Sequence, residues 1–529
     1  MQFVEKKPIL MKHRRSLICR VRCARLAAPL YSLPCIRSPV IAPLGISRPV
    51  FLPTTPQLLS SMSPQLLEGF DMFSNHRPTN SDRCIGTLKR RSFLKAGAAT
   101  LGGLTLPQLL RLQSAVGESA SSLPQNKSMI VLWLWGGPSH METFDLKPEA
   151  PIEYRGEFFP IDTNVPGIQI SEHLPRLAKL ADKFSLLRSL SHDSPGHVNS
   201  THTLVTAYPG NLVETPPYAP EHPDMWSVIS HFKGPVQNGV PAHVSLPRVR
   251  YPGAAYLGGG LDPFTMTSDP NEKNFKVQNV KFDSITADRA LNRISLKEEF
   301  DRLRRDIDTG SSMETMDQFE RKALAMLTSG RAEKAFKIDE ESDEVRDRYG
   351  RHTVGQRCLL ARRLVEAGVR LVTIDFPYVP GQKARSWDDH ASVWNIFEEM
   401  KQRLPVLDQV SSALISDLYE RGLQDDVLFL VMGEMSHTPR LSNFKGQPGR
   451  EHWGKTMSLL LSGGGLNMGQ VVGSTNKKGD EVTSDPCTPN DFLATMYRAM
   501  GVPFETHVTD FAGRPTPLVP AGTPIAQLF

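Results

Sequence analysis

Cysteine is scarce, with six in 529 residues. Four of them, Cys19, Cys23, Cys35 and Cys84, precede residue 90. A disulfide scaffold is thereby excluded. The early pair Cys19/Cys23 has no second pair to complete a zinc site. Only Cys358 and Cys487 remain further on, and Cys358 lies in the apolar helical pattern Cys358-Leu359-Leu360-Ala361, which reads as core. Internal repeats are lacking, so a solenoid or propeller is not expected. An excess of one charge is also lacking where it would matter. The formal net charge is +5. Residues 1–120 hold 17 Lys/Arg against 5 Asp/Glu, and the remainder carries 44 against 51, a mildly acidic body. A general nucleic-acid-binding role loses its electrostatic support, and no nucleic-acid partner is expected. With 40% hydrophobic and 22% charged residues the composition is that of a globular chain.

The basic leader has an organisation of its own. Arg90-Arg91-Ser92-Phe93-Leu94-Lys95 is followed by a weakly apolar stretch of small residues from Ala96 to about Leu112. This resembles a twin-arginine export signal, with Lys89 where Ser or Thr is more usual. The apolar stretch is short and Gly-rich, so no stable membrane span is expected in the mature form. Ala115-Val116-Gly117 and Ser119-Ala120 offer cleavage sites. We assign residues 72–120 to the signal and residues 1–71 to a mis-called start or a disordered segment, with Met62 and Met72 as alternative starts. The expected partner is the twin-arginine export machinery, and the expected location is periplasmic or extracellular. That route carries folded proteins, often with a cofactor already loaded.

Beyond residue 126 strands alternate with helices. Met129–Trp135 is a continuous apolar run ending at Gly136-Gly137-Pro138, the pattern of a strand buried on both faces. Further strands are expected at Phe184–Leu190, Ala242–Leu246, Arg370–Asp375, Asp426–Met432 and Met457–Leu461. Helices are expected at Ser171–Asp182 with Ser171 as cap, His197–Ala207, Ser342–Ala367, His390–Gly422 with a break at Pro405, and Thr488–Met500. Tyr251–Asp269 reads as a Gly/Pro-rich loop, and residues 295–340 as a charged, solvated helical insertion. The alternation specifies an α/β fold with a mainly parallel central sheet and helices on both faces.

Ligands of such sheets collect at the carboxyl ends of the strands. The polar residues expected there are His140, Glu142 and Asp145; His192, Asp193, His197 and His202; Asp388-Asp389-His390; Glu434 and His437; and, just before the strand at Met457, Glu451-His452. Imidazoles and carboxylates converging on one rim suit a divalent metal such as zinc or manganese. Each piece has a plainer reading. Asp388 or Asp389 can cap a helix, Glu434 can pair with Arg440 or Arg450, and a lone His is usually only hydrogen-bonded.

Gly136-Gly137-Pro138-Ser139-His140 with Phe144-Asp145, Ser171-Glu172-His173-Leu174-Pro175, Trp387-Asp388-Asp389-His390, Gly433-Glu434 and Arg450-Glu451-His452-Trp453 resemble an exported bacterial family, number 1501 of the domains of unknown function. That family is in turn similar to the alkaline phosphatase and sulfatase superfamily. His173-Leu174-Pro175-Arg176-Leu177-Ala178 and Asp491-Phe492-Leu493-Ala494-Thr495 with Gly501 resemble sulfatase helices. The resemblance implies an alkaline phosphatase-like domain over 126–529, with a divalent metal (zinc, manganese or calcium) on Asp388, His390, Glu434 and His452. Where the superfamily has an Asp at the first strand end this chain has Gly136 or Gly137, so His140 or Asp145 would substitute. In the nucleophile's place stands His197-Val198-Asn199-Ser200-Thr201, offering Ser200 or Thr201 at a helix start, or two ordinary helix-start residues. The sulfatase Cys/Ser-x-Pro-x-Arg motif is absent. The implied function is metal-dependent hydrolysis of phosphate or sulfate esters on a small molecule or polysaccharide. The alternative is a non-catalytic binding protein of the same fold, for instance for polysaccharide.

Overall fold

The computed structural model describes residues 126–194, 196–277 and 325–529. Residues 1–71, the expected export signal and the part of the charged run from Ser295 to residue 324 lie outside the described residues. The central strand β1 (Ser128–Trp133) is fully buried. Its side chains alternate between two cores. Ile130 and Leu132 face α3 (Thr353–Glu366) and α4 (Ile396–Glu420). Met129, Val131 and Trp133 face α1 (His197–Thr206), α2 (Met225–Lys233) and α5 (Pro489–Ala499). An unbroken apolar strand is the necessary composition for an element covered on both sides.

The other strands are β2 (Ser185–Leu190), β3 (His243–Leu246), β4 (Phe264–Thr265), β5 (Leu371–Asp375), β6 (Val427–Met432), β7 (Met457–Gly463) and β8 (Val471–Val472). The sheet order is β8-β2-β7-β6-β1-β5-β3-β4. Strand β1 lies parallel between β5 and β6, and only β7 runs against its neighbours. The expected α/β class, mainly parallel sheet and helices on both faces are all present. The carboxyl ends of β1, β2, β5 and β6 and the amino end of β7 share one rim, because β7 enters the sheet from that side.

Several boundaries differ from expectation. Ser171 caps no helix. Gln169–Ser171 pairs with Pro160–Asp162, and the Leu spacing is served by a single turn at Pro175–Ala178. Ser342–Ala367 is two helices, Asp343–Tyr349 and α3, parted at Gly350, whose φ of +94° no helix accepts. Pro405 does not break α4, since the carbonyl it frees belongs to exposed Lys401, where water can satisfy it. Helix α4 begins at Ile396, capped by Asn395, which leaves His390 in the preceding loop. The described part of the charged insertion is not wholly solvated, because the helix Arg331–Phe336 buries Ala332, Ala335 and Phe336. Cys358 and Cys487 are buried free thiols. No helix among the described residues is long and apolar enough to cross a membrane.

Asp224 caps α2, accepting the Ser227 amide at 2.7 Å. Burial outweighs that bond and raises its carboxyl from 3.8 to about 7. A raised carboxyl keeps its proton in the folded state. Its contribution to stability is full below the unfolded value and is lost as pH rises through about 7. Between pH 5 and pH 8 the loss is about 2–3 kcal/mol. Asp224→Asn keeps a capping oxygen and removes the titration. Its thermal unfolding is therefore expected to fall less steeply than wild type over that interval, and parallel profiles would refute the assignment.

Candidate metal centre

The rim is built around Asp388, which sits in the loop between β5 and α4. That loop is held from below. The Trp387 amide donates to the Trp135 carbonyl at 2.8 Å, and the buried Trp387 indole donates to the Phe376 carbonyl at 2.6 Å. Asp389, fully buried, pairs with Arg403 and accepts the Trp394 indole N–H at 2.7 Å. Asp389 is thus the anchor of the loop, and Asp388 is the group it presents.

Four imidazoles surround the Asp388 carboxylate. His197 Nε2 stands 3.3 Å from Oδ2, and His390 Nε2 and His452 Nε2 stand 2.8 and 3.1 Å from Oδ1. His437 Nε2, which accepts the Asp389 amide at 3.2 Å, lies 3.5 Å off. His437 and His452 are register partners in the short antiparallel ladder Ser436–His437/His452–Trp453. Potential ligand atoms of His197, Asp388 and His452 all lie within 4.8 Å of one another.

Carboxylates hold two of these rings from behind. Glu434 Oε1 stands 2.9 Å from His197 Nδ1, and Glu451 Oε2 stands 2.5 Å from His390 Nδ1. A carboxylate on one ring nitrogen leaves the other aimed forward and makes it a better donor, as metal-binding histidines require. Burial opposes charge on His197, yet the bonds to Asp388 and Glu434 prevail and raise it to about 10. Burial also opposes charge on Asp388, but the surrounding imidazoles, His197 and His390 foremost, hold its carboxyl well below the usual range. Two imidazoles and a carboxylate within reach of one point are a fitting donor set for zinc, manganese or iron. Glu434 Oε2, buried, has no hydrogen-bond partner among the described residues.

The expected metal residues divide on this geometry. Asp388, His390 and His452 come together, and Glu434 stands behind His197. His140 and Asp145 are engaged elsewhere. His140 places Nδ1 2.7 Å from Ser436 Oγ and Nε2 2.9 Å from the Gly479 carbonyl, and burial lowers it to about 4. Asp145 is buried, 2.9 Å from Lys147 Nζ and 3.6 Å from Arg188. Burial alone would raise its carboxyl, but Arg188 and Lys147 bring it below the ordinary value. Nor does Glu434 pair with Arg450, which binds Glu142.

The empty first place has a steric cause. Gly136 takes φ +106°, and a Cβ there would lie 2.5 Å from the Asp388 amide nitrogen. Its own amide donates to Glu434 Oε1 at 2.8 Å. A backbone N–H therefore steadies the carboxylate where a side-chain ligand cannot fit.

Ser200 and Thr201 lie one turn beyond His197 on the same face of α1. Both are fully buried. Ser200 Oγ donates to the Ser194 carbonyl at 3.0 Å, and Thr201 Oγ1 has no partner among the described residues. The helix amides that would favour an anionic substrate are occupied. Glu214 accepts from the Val198 and Asn199 amides at 3.0 and 3.2 Å.

Three residues beyond the sequence candidates complete the wall. Trp135 lies 5.6 Å from the His197 ring, and the Arg250 guanidinium stacks on Trp135 at 3.7 Å. Asp375, at the end of β5, is pushed by burial to about 7, with Arg250 pulling it down and Glu434 pushing it up. Trp135 and Asp375 were discoverable as strand-end residues. Arg250, in a loop of irregular spacing, carried no such signal.

Solved structures with some similarity to this chain include sulfatases and a member of the alkaline phosphatase superfamily. A sulfatase from Pseudoalteromonas sp. shows 12% identity and a TM-score of 0.34, over 76% of this chain and 72% of that one. A member of the alkaline phosphatase superfamily from Vibrio parahaemolyticus shows 11% identity and a TM-score of 0.31, over 72% and 68%. A phosphonate monoester hydrolase from Silicibacter pomeroyi shows 10% and 0.30, over 76% and 78%. No curated protein matches. The family model described as "Protein of unknown function (DUF1501)" matches residues 126–529.

Proposed function

Since this chain belongs to the DUF1501 family, whose description leaves function unknown, we propose its function from the site: metal-dependent hydrolysis of phosphate or sulfate esters. The observation that carries it is the Asp388 carboxylate ringed by imidazoles, two of them gripped from behind by Glu434 and Glu451. His197, Asp388, His390 and His452 would hold the cation. A bound divalent ion supplies Lewis acidity toward an ester oxygen and acidifies water. Arg250, braced on Trp135, is placed to pair with an anionic group beside His197. Glu434 and Glu451 orient their imidazoles. The proposed route is export in the folded state through the twin-arginine machinery, to work in the periplasm or outside the cell, as the motif at Arg90-Arg91 supports.

Elemental analysis of the folded protein is expected to return a transition metal, with turnover on p-nitrophenyl phosphate or sulfate that chelation removes. Metal-free protein whose His452→Ala variant keeps full function ends the proposal. A second reading is favoured by the buried hydroxyls of Ser200 and Thr201. It is a binding protein whose cation and the Trp135 ring beside His197 hold an anionic polysaccharide without cleaving it. Stoichiometric metal with no turnover on any ester would select that reading.

A further inference from the structure

The motif Gly136-Gly137-Pro138-Ser139-His140 ends on a histidine that the metal centre leaves unused. His140 opens a short helical turn, His140–Glu142, just past the end of β1, and is buried. Gly137, at φ +87°, brings this loop so close to Met435 that a Cβ would lie 2.6 Å from the Met435 carbonyl oxygen. That approach sets His140 against Ser436. The His140 amide donates to Ser436 Oγ at 3.1 Å, and His140 Nδ1 lies 2.7 Å from the same oxygen. His140 Nε2 lies 2.9 Å from the Gly479 carbonyl. A carbonyl only accepts, so Nε2 carries the proton and Nδ1 accepts from the Ser436 hydroxyl. Burial lowers His140 to about 4, which keeps it in this neutral form.

The Gly479 carbonyl also accepts from Thr456 Oγ1 at 2.9 Å, and Thr456 Oγ1 in turn accepts the Trp453 indole N–H at 3.0 Å. Ser436 and Trp453 are register partners in the ladder whose other rung is His437 and His452. His140 therefore holds the first rung at both ends, Ser436 directly and Trp453 through Gly479 and Thr456. Side chains alternate along a strand, so fixing that rung turns the second toward Asp388. A ladder of two residues per strand has few bonds of its own to set its register, and a slip of one residue would face both imidazoles away. We propose that His140 is a positioning residue: through Ser436 and Thr456 it fixes the ladder that sets the His437 and His452 rings on the Asp388 carboxylate. The consequence for a cation rests on the function proposed above.

Nitrogen NMR of the histidine rings in the metal-free full chain, joined to calorimetric titration with zinc, tests this. His140→Leu is expected to shift or split the ring signals of His437 and His452, to leave that of exposed His507 unmoved, and to weaken zinc binding about tenfold. Thr456→Val keeps the side-chain shape and severs only the Trp453 arm, so it should act in the same direction even where His140→Leu does not fold. His140→Asn, whose amide oxygen can take the Ser436 proton in place of Nδ1, should restore part of both readouts. A residue needed for stability alone would lower the unfolding temperature and leave the ring signals and the zinc affinity of the folded variants as in wild type. That result, or His140→Asn no better than His140→Leu, overturns the proposal. A wild-type chain that takes up no zinc ends the metal reading alone, since the ring signals still uphold or overturn the role of His140.

Discussion

Asp388→Asn is expected to strip the metal from the protein and lower ester turnover by about 10³-fold or more, some 4 kcal/mol of transition-state stabilisation. The substitution preserves shape, so its effect isolates charge. In the native site one carboxylate faces the Nε2 atoms of His197, His390 and His452 at 3.3, 2.8 and 3.1 Å. A neutral amide removes the anionic ligand from among these imidazoles. Glu434→Gln should act more gently, costing about 10- to 100-fold in metal affinity, because in the proposed site it would act on the cation through His197. Metal content by mass spectrometry and turnover of an aryl ester are the readouts. Full metal and full turnover in Asp388→Asn would remove the chemical basis of the site.

Arg450→Met is expected to destabilise the fold by about 3–5 kcal/mol, the penalty for stranding a buried charge. Arg450 and Glu142 are both sequestered from solvent. The guanidinium donates to both Glu142 oxygens, at 2.9 and 2.6 Å, and to the carbonyls of Thr438, Pro439 and Tyr154. All its N–H groups are used. Removing it leaves Glu142 ionised in the interior, or forces it to take up a proton. The double variant Glu142→Gln/Arg450→Met should recover part of the loss. Denaturant unfolding measures both, and additive effects would show the two residues to be uncoupled. Because Glu451 and His452 follow directly, metal affinity is expected to fall with stability.

The sheet was legible because each strand carries its own apolar run, and the rim because donors recur after successive strands. Asp388 and His390 follow from that rule, and His452 from its place just before β7. Glu434 was placed at the right rim, but the sequence could not show that its Oε1 reaches His197 Nδ1 at 2.9 Å. His197 was one of several histidines after β2, and nothing local distinguishes it from His192 or His202. Its selection depends on where α1 begins and on the Trp135 ring beside it. His140 and Asp145 looked like donors because they follow β1, but their partners, Ser436, Gly479, Lys147 and Arg188, are remote in sequence or ordinary in composition. Helix ends were misread where one residue decides. Gly350 splits a continuous pattern, and an exposed face lets Pro405 pass unnoticed.

The contrary direction of β7 has a consequence for biogenesis. By entering the sheet from the rim, it delivers His452 beside donors that begin at His197, so the cluster draws on early and late parts of the chain alike. A nascent polypeptide released short of His452 owns only an incomplete claw. Capture of a cation at the proposed site would therefore wait until His452 has been made and β7 has docked.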